Sequence, residues 1–280
     1  MEIEFKNVTY KENVRTPLEK MYLNNISFKI EKNGIYSFIG DASSGKEKIP
    51  LLINAVNKPY MGKIKVGEFL NDGGYIKNIN KLRMNISYVP MNPEDLLICK
   101  TVKEELSFGL KYFKYKLNKQ DIRVVDALKL VNMSEEDINK RISSLSLMEK
   151  KKITIASTLI FNPNVIVLEE PWLFLKTKDR ISLNNLLIKL KNKYNKTIII
   201  ISKDTDRLYE VSDKVFLLKN GKVIEEGNKE LLENEELMKS INVKTPDICK
   251  FINVSNRMNA NLTFTTNILD LIKEVYRNAK

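Results

Sequence analysis

The chain has 280 residues, 43% hydrophobic and 29% charged, enough for one large core or two modest ones and unlike a disordered composition. Its net charge of +12 comes from lysines spread along the whole length among Asn and Glu, without a basic tract or interleaved aromatics, so it reads as a solvated surface with no nucleic-acid partner. No apolar run reaches the ~20 residues of a membrane span, no basic region and apolar core open the chain, and the absence of histidine excludes any imidazole base, shuttle or ligand.

Residues 3–9 and 23–30 read as strands joined by a polar connection holding Pro17. A third apolar run, 34–39, leads into Ile39-Gly40-Asp41-Ala42-Ser43-Ser44-Gly45-Lys46-Glu47-Lys48, after which residues 49–56 read as a helix. Gly40, Gly45 and Lys46 therefore sit where G-x-x-x-x-G-K-[ST] needs them, in a strand-to-helix turn whose backbone N–H groups and one lysine hold a polyphosphate. The last position departs from that pattern. Glu47 replaces the hydroxyl that ligates Mg²⁺, and two outcomes are open: its carboxylate binds the metal directly, or it occupies the ring of N–H groups and repels the ligand.

Short strands follow at 63–66 and 86–89. Between residues 102 and 160 the apolar period lengthens to that of amphipathic helices, through Val102, Leu106, Phe108 and Leu110, then Ile122, Val125, Leu128 and Leu130. Cys99 lies just before this run and Cys249 far beyond it; they form neither a disulfide framework nor a metal spacing and are expected as buried or half-buried free thiols in a reducing cytoplasm. The apolar runs 165–168 and 197–201, with an amphipathic segment at 180–190 between them, fit buried parallel strands and a crossover helix. Lys219-Asn220-Gly221-Lys222, between 215–218 and 223–224, signals a hairpin. Beyond Ser240 the character changes, with Pro246 in a loop and a final amphipathic stretch at 268–275, a small C-terminal appendage.

In order and spacing, Val8-Thr9-Tyr10, Thr16-Pro17-Leu18-Glu19-Lys20, Tyr88-Val89-Pro90-Met91-Asn92-Pro93-Glu94-Asp95, Thr101-Val102-Lys103-Glu104-Glu105, Phe108-Gly109, Asn162-Pro163 and Thr245-Pro246-Asp247-Ile248 form one pattern. Over essentially the whole chain it resembles the ATP-binding subunits of ABC transporters, and within them those of energy-coupling factor (ECF) importers of vitamins and transition-metal ions. The resemblance implies an α/β fold: a P-loop NTPase core of the ABC ATPase type over residues 1–240, with an antiparallel β subdomain and a helical insertion near 95–160. A small C-terminal domain at 241–280 follows. It further implies ATP and Mg²⁺ as ligands and a peripheral place on the cytoplasmic face of the cell membrane. The implied partners are a paralogous ATP-binding subunit paired head to tail, a transmembrane coupling subunit and, indirectly, a substrate-specific membrane subunit.

In that family each ATP lies between the phosphate loop of one subunit and the signature segment of the other. Carried over position by position, the nucleotide contacts fall at Gly40, Asp41, Ala42, Ser43, Ser44, Gly45, Lys46, Glu47 and Lys48, and at Ser146 of the signature. The adenine-stacking aromatic falls at Glu12, with Tyr10 nearby left as a core residue. The Mg²⁺ hydroxyl falls at Glu47 and the γ-phosphate-sensing glutamine at Met91, which offers no hard oxygen. The signature L-S-G-G-Q falls at Leu145-Ser146-Leu147-Met148-Glu149, where Leu147 and Met148 are expected to crowd a phosphate that glycines would admit. Glu169 stands at the metal-associated acid, Glu170 retains the catalytic carboxylate, Lys176 replaces the dimer-contact aspartate, and Lys203 replaces the switch histidine.

Two functions follow from the resemblance: a transport-coupled ATPase in which Glu170 polarises the attacking water, or a pseudo-ATPase half of a heterodimer that holds the membrane partner. A soluble ABC protein outside transport is a third. Residues 92–110 look like the family's receiver for the membrane subunit's coupling helices, and Glu94, Asp95 and Glu104 are expected to face basic side chains there.

Overall fold

A computed structural model describes residues 1–113 and 120–278. The chain opens with β1 (Ile3–Glu12), β2 (Lys20–Ile30) and β3 (Ile35–Ile39), then the glycine-rich turn and α1 (Lys48–Ile53). β4 (Met61–Val66), β5 (Phe69–Asn71), α2 (Ile79–Asn85) and β6 (Ile86–Val89) lead to α3 (Val102–Tyr112), α4 (Gln120–Leu130) and α5 (Leu147–Leu159). After these come β7 (Val165–Glu169), α6 (Thr177–Tyr194), β8 (Thr197–Ile201), α7 (Thr205–Val211), β9 (Lys214–Lys219) and β10 (Lys222–Asn228). The short α8 (Glu235–Ser240) then precedes α9 (Asp247–Arg257) and α10 (Ile268–Asn278).

Two sheets form, an antiparallel one in the order β2-β1-β4-β5 and a mixed one in the order β10-β9-β3-β8-β7-β6. In the second, β9, β3, β8, β7 and β6 run parallel, and β10 closes one edge antiparallel. Its inner strands are apolar on both faces because both faces are covered. Ile166, Leu168, Ile198 and Ile200 pack toward the helical layer, whereas Val165, Val167, Ile199 and Ile201 pack toward the antiparallel sheet and α1. Phe28 joins the two sheets, with its ring centroid 5.1 Å from that of Phe38 and 5.2 Å from that of Phe216. The hairpin falls where expected: Asn220 and Gly221 both have positive φ, 49° and 72°, as the tight β-hairpin turn requires.

Several local expectations change. The helix after the glycine-rich turn stops at Ile53 instead of reaching residue 56, because Ala55 swings into the left-handed region at φ 51°. In α4 the inward stripe is Val124, Ala127 and Leu128, continued by Val131, at i, i+3, i+4 and i+7, while Ile122 and Leu130 are exposed. Phe108 of α3 is likewise largely outside the core. The part of the expected helical run at 114–119 lies outside the described residues. Cys99 is half-buried and Cys249 buried, both as free thiols. Ile252, Leu262 and Leu271 form a small cluster of their own near the C-terminus. Among the described residues, no helix is long and apolar enough to cross a membrane.

Candidate functional site

Because β3, β8 and β7 are neighbours, the loop after β3, the segment after β8 and the acids ending β7 meet at the carboxyl edge of one sheet. The loop needs its glycines. A Cβ at Gly40 would stand 2.5 Å from the Leu218 carbonyl oxygen, and one at Gly45, where φ is +78°, only 2.1 Å from that of Tyr22. Ser44 Oγ and Lys46 Nζ both donate to the carbonyl oxygen of Asp41, at 2.7 and 2.8 Å, so the lysine lies folded over its own loop. Burial holds its ammonium below the usual lysine range. The Asp41 carboxylate accepts from the N–H and hydroxyl of Ser43, at 2.9 and 2.7 Å, and from Asn242 Nδ2 at 3.1 Å. Ala42 and Ser43 form the exposed crest.

Glu47 precedes the first residue of α1 and makes no capping bond with its side chain. Lys48 turns toward the antiparallel sheet, where its Nζ pairs with Glu12 Oε1 at 2.7 Å and lies 4.1 Å from the centre of the Tyr22 ring. The buried Tyr10 donates its hydroxyl to the same carboxylate at 3.1 Å. Where the resemblance expects an aromatic shelf, an ion pair lies across Tyr22.

At the end of β7, Glu169 Oε2 accepts from the Tyr88 hydroxyl at 2.9 Å and from the Met91 N–H at 3.3 Å. Burial first, and the negative charge of Glu47 after it, hold this carboxyl above its ordinary range. Glu170 adopts a left-handed conformation at φ 39°. Its Oε2 accepts from the Ser202 hydroxyl at 2.7 Å and its Oε1 from the Lys203 N–H at 3.0 Å, so both oxygens are tied to the segment after β8.

The signature segment closes on itself. Ser146 caps α5, its N–H and Oγ both donating to Glu149 Oε2, at 2.9 and 2.7 Å, while Oγ accepts from the Glu149 N–H at 3.3 Å. These bonds lower the Glu149 carboxyl below its ordinary range. Of the two bulky replacements only Leu147 stands at the surface; Met148 packs inward against the main core, contrary to the expectation that both crowd the approach. Lys176 precedes α6 and makes no capping bond with its side chain.

Glu94, Asp95 and Glu104, expected to face a partner, are engaged within the chain. Glu94 pairs with Lys150, Asp95 accepts from Asn92, and Glu104 completes a capping box with Thr101. All three side chains still face outward, and this surface carries both a groove lined by Glu94, Lys100, Glu104 and Lys150 and one of about 240 Å³ bordered by Met84, Leu96, Ile98 and Phe108.

Sequence reasoning missed Lys151. It is fully buried, and its Nζ donates to the carbonyl oxygens of Pro90, Met91 and Glu169 at 2.8, 3.0 and 3.1 Å. Burial pulls its pKa down to about 8. Within Lys150-Lys151-Lys152 it reads as surface charge, and only its spacing from Met148 and Ile155, three and four residues away, marks the inward face.

Residues 23–173 match the family described as ABC transporter. The chain is 31% identical over 255 residues to the energy-coupling factor transporter ATP-binding protein EcfA3 of Oenococcus oeni, covering 90% of this chain and 88% of that one. It is also 31% identical over 274 residues to the EcfA protein of Malacoplasma penetrans, covering 97% and 92%. The chain belongs to the ATP-binding subunits of energy-coupling factor ABC transporters. Among solved structures, cbiO1 of Clostridium perfringens, described as part of the ABC transporter complex cbiONQ, aligns with a TM-score of 0.72 and 27% identity over 90% of this chain and 98% of that one. A dimeric ATP-binding cassette bound to ADP and Pi aligns at 0.75 with 22% identity, over 81% and 98%, which bears on the fold alone.

This ABC family binds ATP with Mg²⁺, and the residues present fit the phosphates. Gly40 and Gly45 let the turn pack against the Leu218 and Tyr22 carbonyls and so bring its backbone N–H groups to the start of α1, and Lys46 Nζ can exchange the Asp41 carbonyl for a phosphate oxygen. Glu47 and Glu169 would supply hard carboxylate oxygens to the cation, which neutralises phosphate charge when bound. The Glu12–Lys48 ion pair does not fit a stacked adenine.

Proposed function

We propose that this ATP-binding subunit is the catalytically reduced half of a heterodimer in an ECF import complex for a vitamin or metal ion, in which the paralogous subunit supplies most of the hydrolysis. The observation that carries the reading is the state of Glu170. Each Glu170 oxygen accepts one hydrogen bond, from the Ser202 hydroxyl and from the Lys203 N–H, which ties the carboxylate to the segment after β8 and restricts it to orienting water through the one lone pair that each oxygen keeps. Lys203 also brings a cation where the family places an imidazole, and Met91 brings a thioether where it places an amide. Phosphoryl transfer depends on positioning and charge neutralisation, so these losses act on one step together. Lys46 and the backbone turn still hold phosphate, which makes Mg-ATP a weak ligand of this chain's own loop.

A second reading, a pseudo-ATPase scaffold, is supported by Glu149. Its carboxylate sits on the N–H and hydroxyl of Ser146, the groups a nucleotide of the partner would use, so this chain weakens both sandwiched sites of a dimer. Under either reading the chain docks a transmembrane coupling subunit through residues 92–110, where the exposed Glu94, Asp95 and Glu104 meet its basic side chains beside the apolar groove at Phe108 and Ile98.

The test is ATP turnover of the co-expressed complex carrying Glu170→Gln. Turnover within about two-fold of wild type is expected, whereas a loss on the order of 100-fold shows that this chain's own site is the working one.

A further inference from the structure

α5 begins at the signature segment and carries Lys151 one turn into the interior. An ammonium has three N–H donors, and here each meets a backbone carbonyl: Pro90 at 2.8 Å, Met91 at 3.0 Å and Glu169 at 3.1 Å. The first two belong to the segment between β6 and residues 92–110, the third to the last residue of β7. Met91 is thereby gripped at both ends, its carbonyl by Lys151 and its N–H by Glu169 Oε2 at 3.3 Å.

Taking an ammonium out of water costs several kcal/mol. An apolar side chain would fill the same space without that cost, but it would leave three buried carbonyls without this donor. The charges of Glu169 and Glu170 offset part of the desolvation. What the lysine does that no apolar residue can is hold three separate stretches of chain at fixed distances from one point.

We propose that Lys151 is a positioning residue that makes the signature helix, residues 90–91 and the acidic end of β7 move as one body. Displacement of the segment 92–110 then reaches both nucleotide-facing surfaces of this chain through main-chain atoms, bypassing the side chain at position 91. The inference rests on the reading of 92–110 as the membrane subunit's docking segment. It explains how a subunit with methionine at that position still transmits motion: the link is made by carbonyl oxygens, which every residue type has.

The experiment uses the assembled complex and two readouts. The first is hydrogen exchange of the peptide spanning residue 91, followed by mass spectrometry. Lys151→Met should exchange about ten-fold faster there than wild type, Lys151→Arg should stay within about two-fold because it keeps N–H donors, and Tyr88→Phe, which leaves the lysine in place, should remain protected. The second is ATP turnover. Lys151→Met should lower kcat about ten-fold with KM within about two-fold, and Lys151→Arg should restore most of it, because the residue holds the signature helix that this chain lends to the partner's working site, without touching nucleotide.

If Lys151→Met does not assemble, Lys151→Gln, with two N–H donors and no charge, takes its place and should exchange at a rate between wild type and about ten-fold faster. Equal exchange at residue 91 in all variants, or a rise in KM with kcat unchanged, reduces Lys151 to core filling and overturns the proposal. Collapse of turnover in Glu170→Gln, by contrast, overturns the division of labour between subunits while leaving the exchange result at residue 91 intact.

Discussion

Two turns of this chain present backbone N–H groups at the start of a helix, and they are filled differently. Before α1, the loop's lysine rests on a neutral carbonyl, that of Asp41, and two glycines let the turn lie tight against the Leu218 and Tyr22 carbonyls. Before α5, the carboxylate of Glu149 already sits on the N–H and hydroxyl of Ser146. A phosphate arriving at the first displaces a weak neutral contact. One arriving at the second competes with a tethered anion, whose effective concentration is on the order of millimolar or more. The two turns are therefore unequal, the first open to phosphate and poor for the base, the second well capped and closed.

The strongest way to break the comparison is to disturb the tight backbone of the first turn. Gly45→Ala forces a Cβ to within 2.1 Å of the Tyr22 carbonyl oxygen at φ +78°. It should cost ~3 kcal/mol, from left-handed strain plus backbone displacement, and lower Tm by about 6 °C. An unchanged melting curve would mean that the turn is not the tight, pre-formed cradle described. Next in size is the base shelf. Glu12→Tyr replaces an ion pair with a π-face beside Tyr22, and Mg-ATP affinity by calorimetry should rise about ten-fold, equal to ~1.4 kcal/mol of stacking. Tyr10 loses its acceptor in the same variant, so Tm should fall slightly even as affinity rises. Equal affinity in both proteins would show that Glu12 does not border the base.

The fold was legible in the sequence because β7, β8 and β9 each hold a run of four apolar residues, and β3 one broken only by Ser37, whose alternate residues feed two cores, a pattern that survives without knowledge of partners. The Asn220-Gly221 hairpin was legible because its turn type demands positive φ. Lys151 was not, since a lysine between lysines shows only its helical spacing from Met148 and Ile155, and the three carbonyls that hold it come from distant segments. Nor was the tie between Glu170 and Ser202, which depends on β8 lying beside β7. The stripe of α4 was misplaced because Ile122 and Leu130 are as apolar as the residues that turned inward, and only packing chooses between adjacent faces. The positions where the resemblance was most informative, 12, 47, 91 and 203, are those where the side chain departs from the pattern, so their roles had to be argued from charge and geometry.

The smallest effect tests the closed end of the comparison. Glu149→Gln keeps the size and part of the capping geometry but removes the charge, so it separates the anion from the cap. At neutral pH it should cost ~0.5 kcal/mol, read as a Tm lower by about 1 °C. Glu149 has a folded-state carboxyl lowered below its unfolded value, chiefly by the hydrogen bonds from Ser146. Its contribution is therefore fully present above the unfolded carboxylate range and is lost as pH falls through the lowered folded value, so wild type and variant should converge in acid. In the assembled complex the same substitution should lower the KM for ATP about three-fold, the ~0.6 kcal/mol that one charge contributes at a helix start. A gap in Tm that persists in acid would assign the effect to lost hydrogen bonds, and an unchanged KM would show that the tethered carboxylate does not compete with nucleotide.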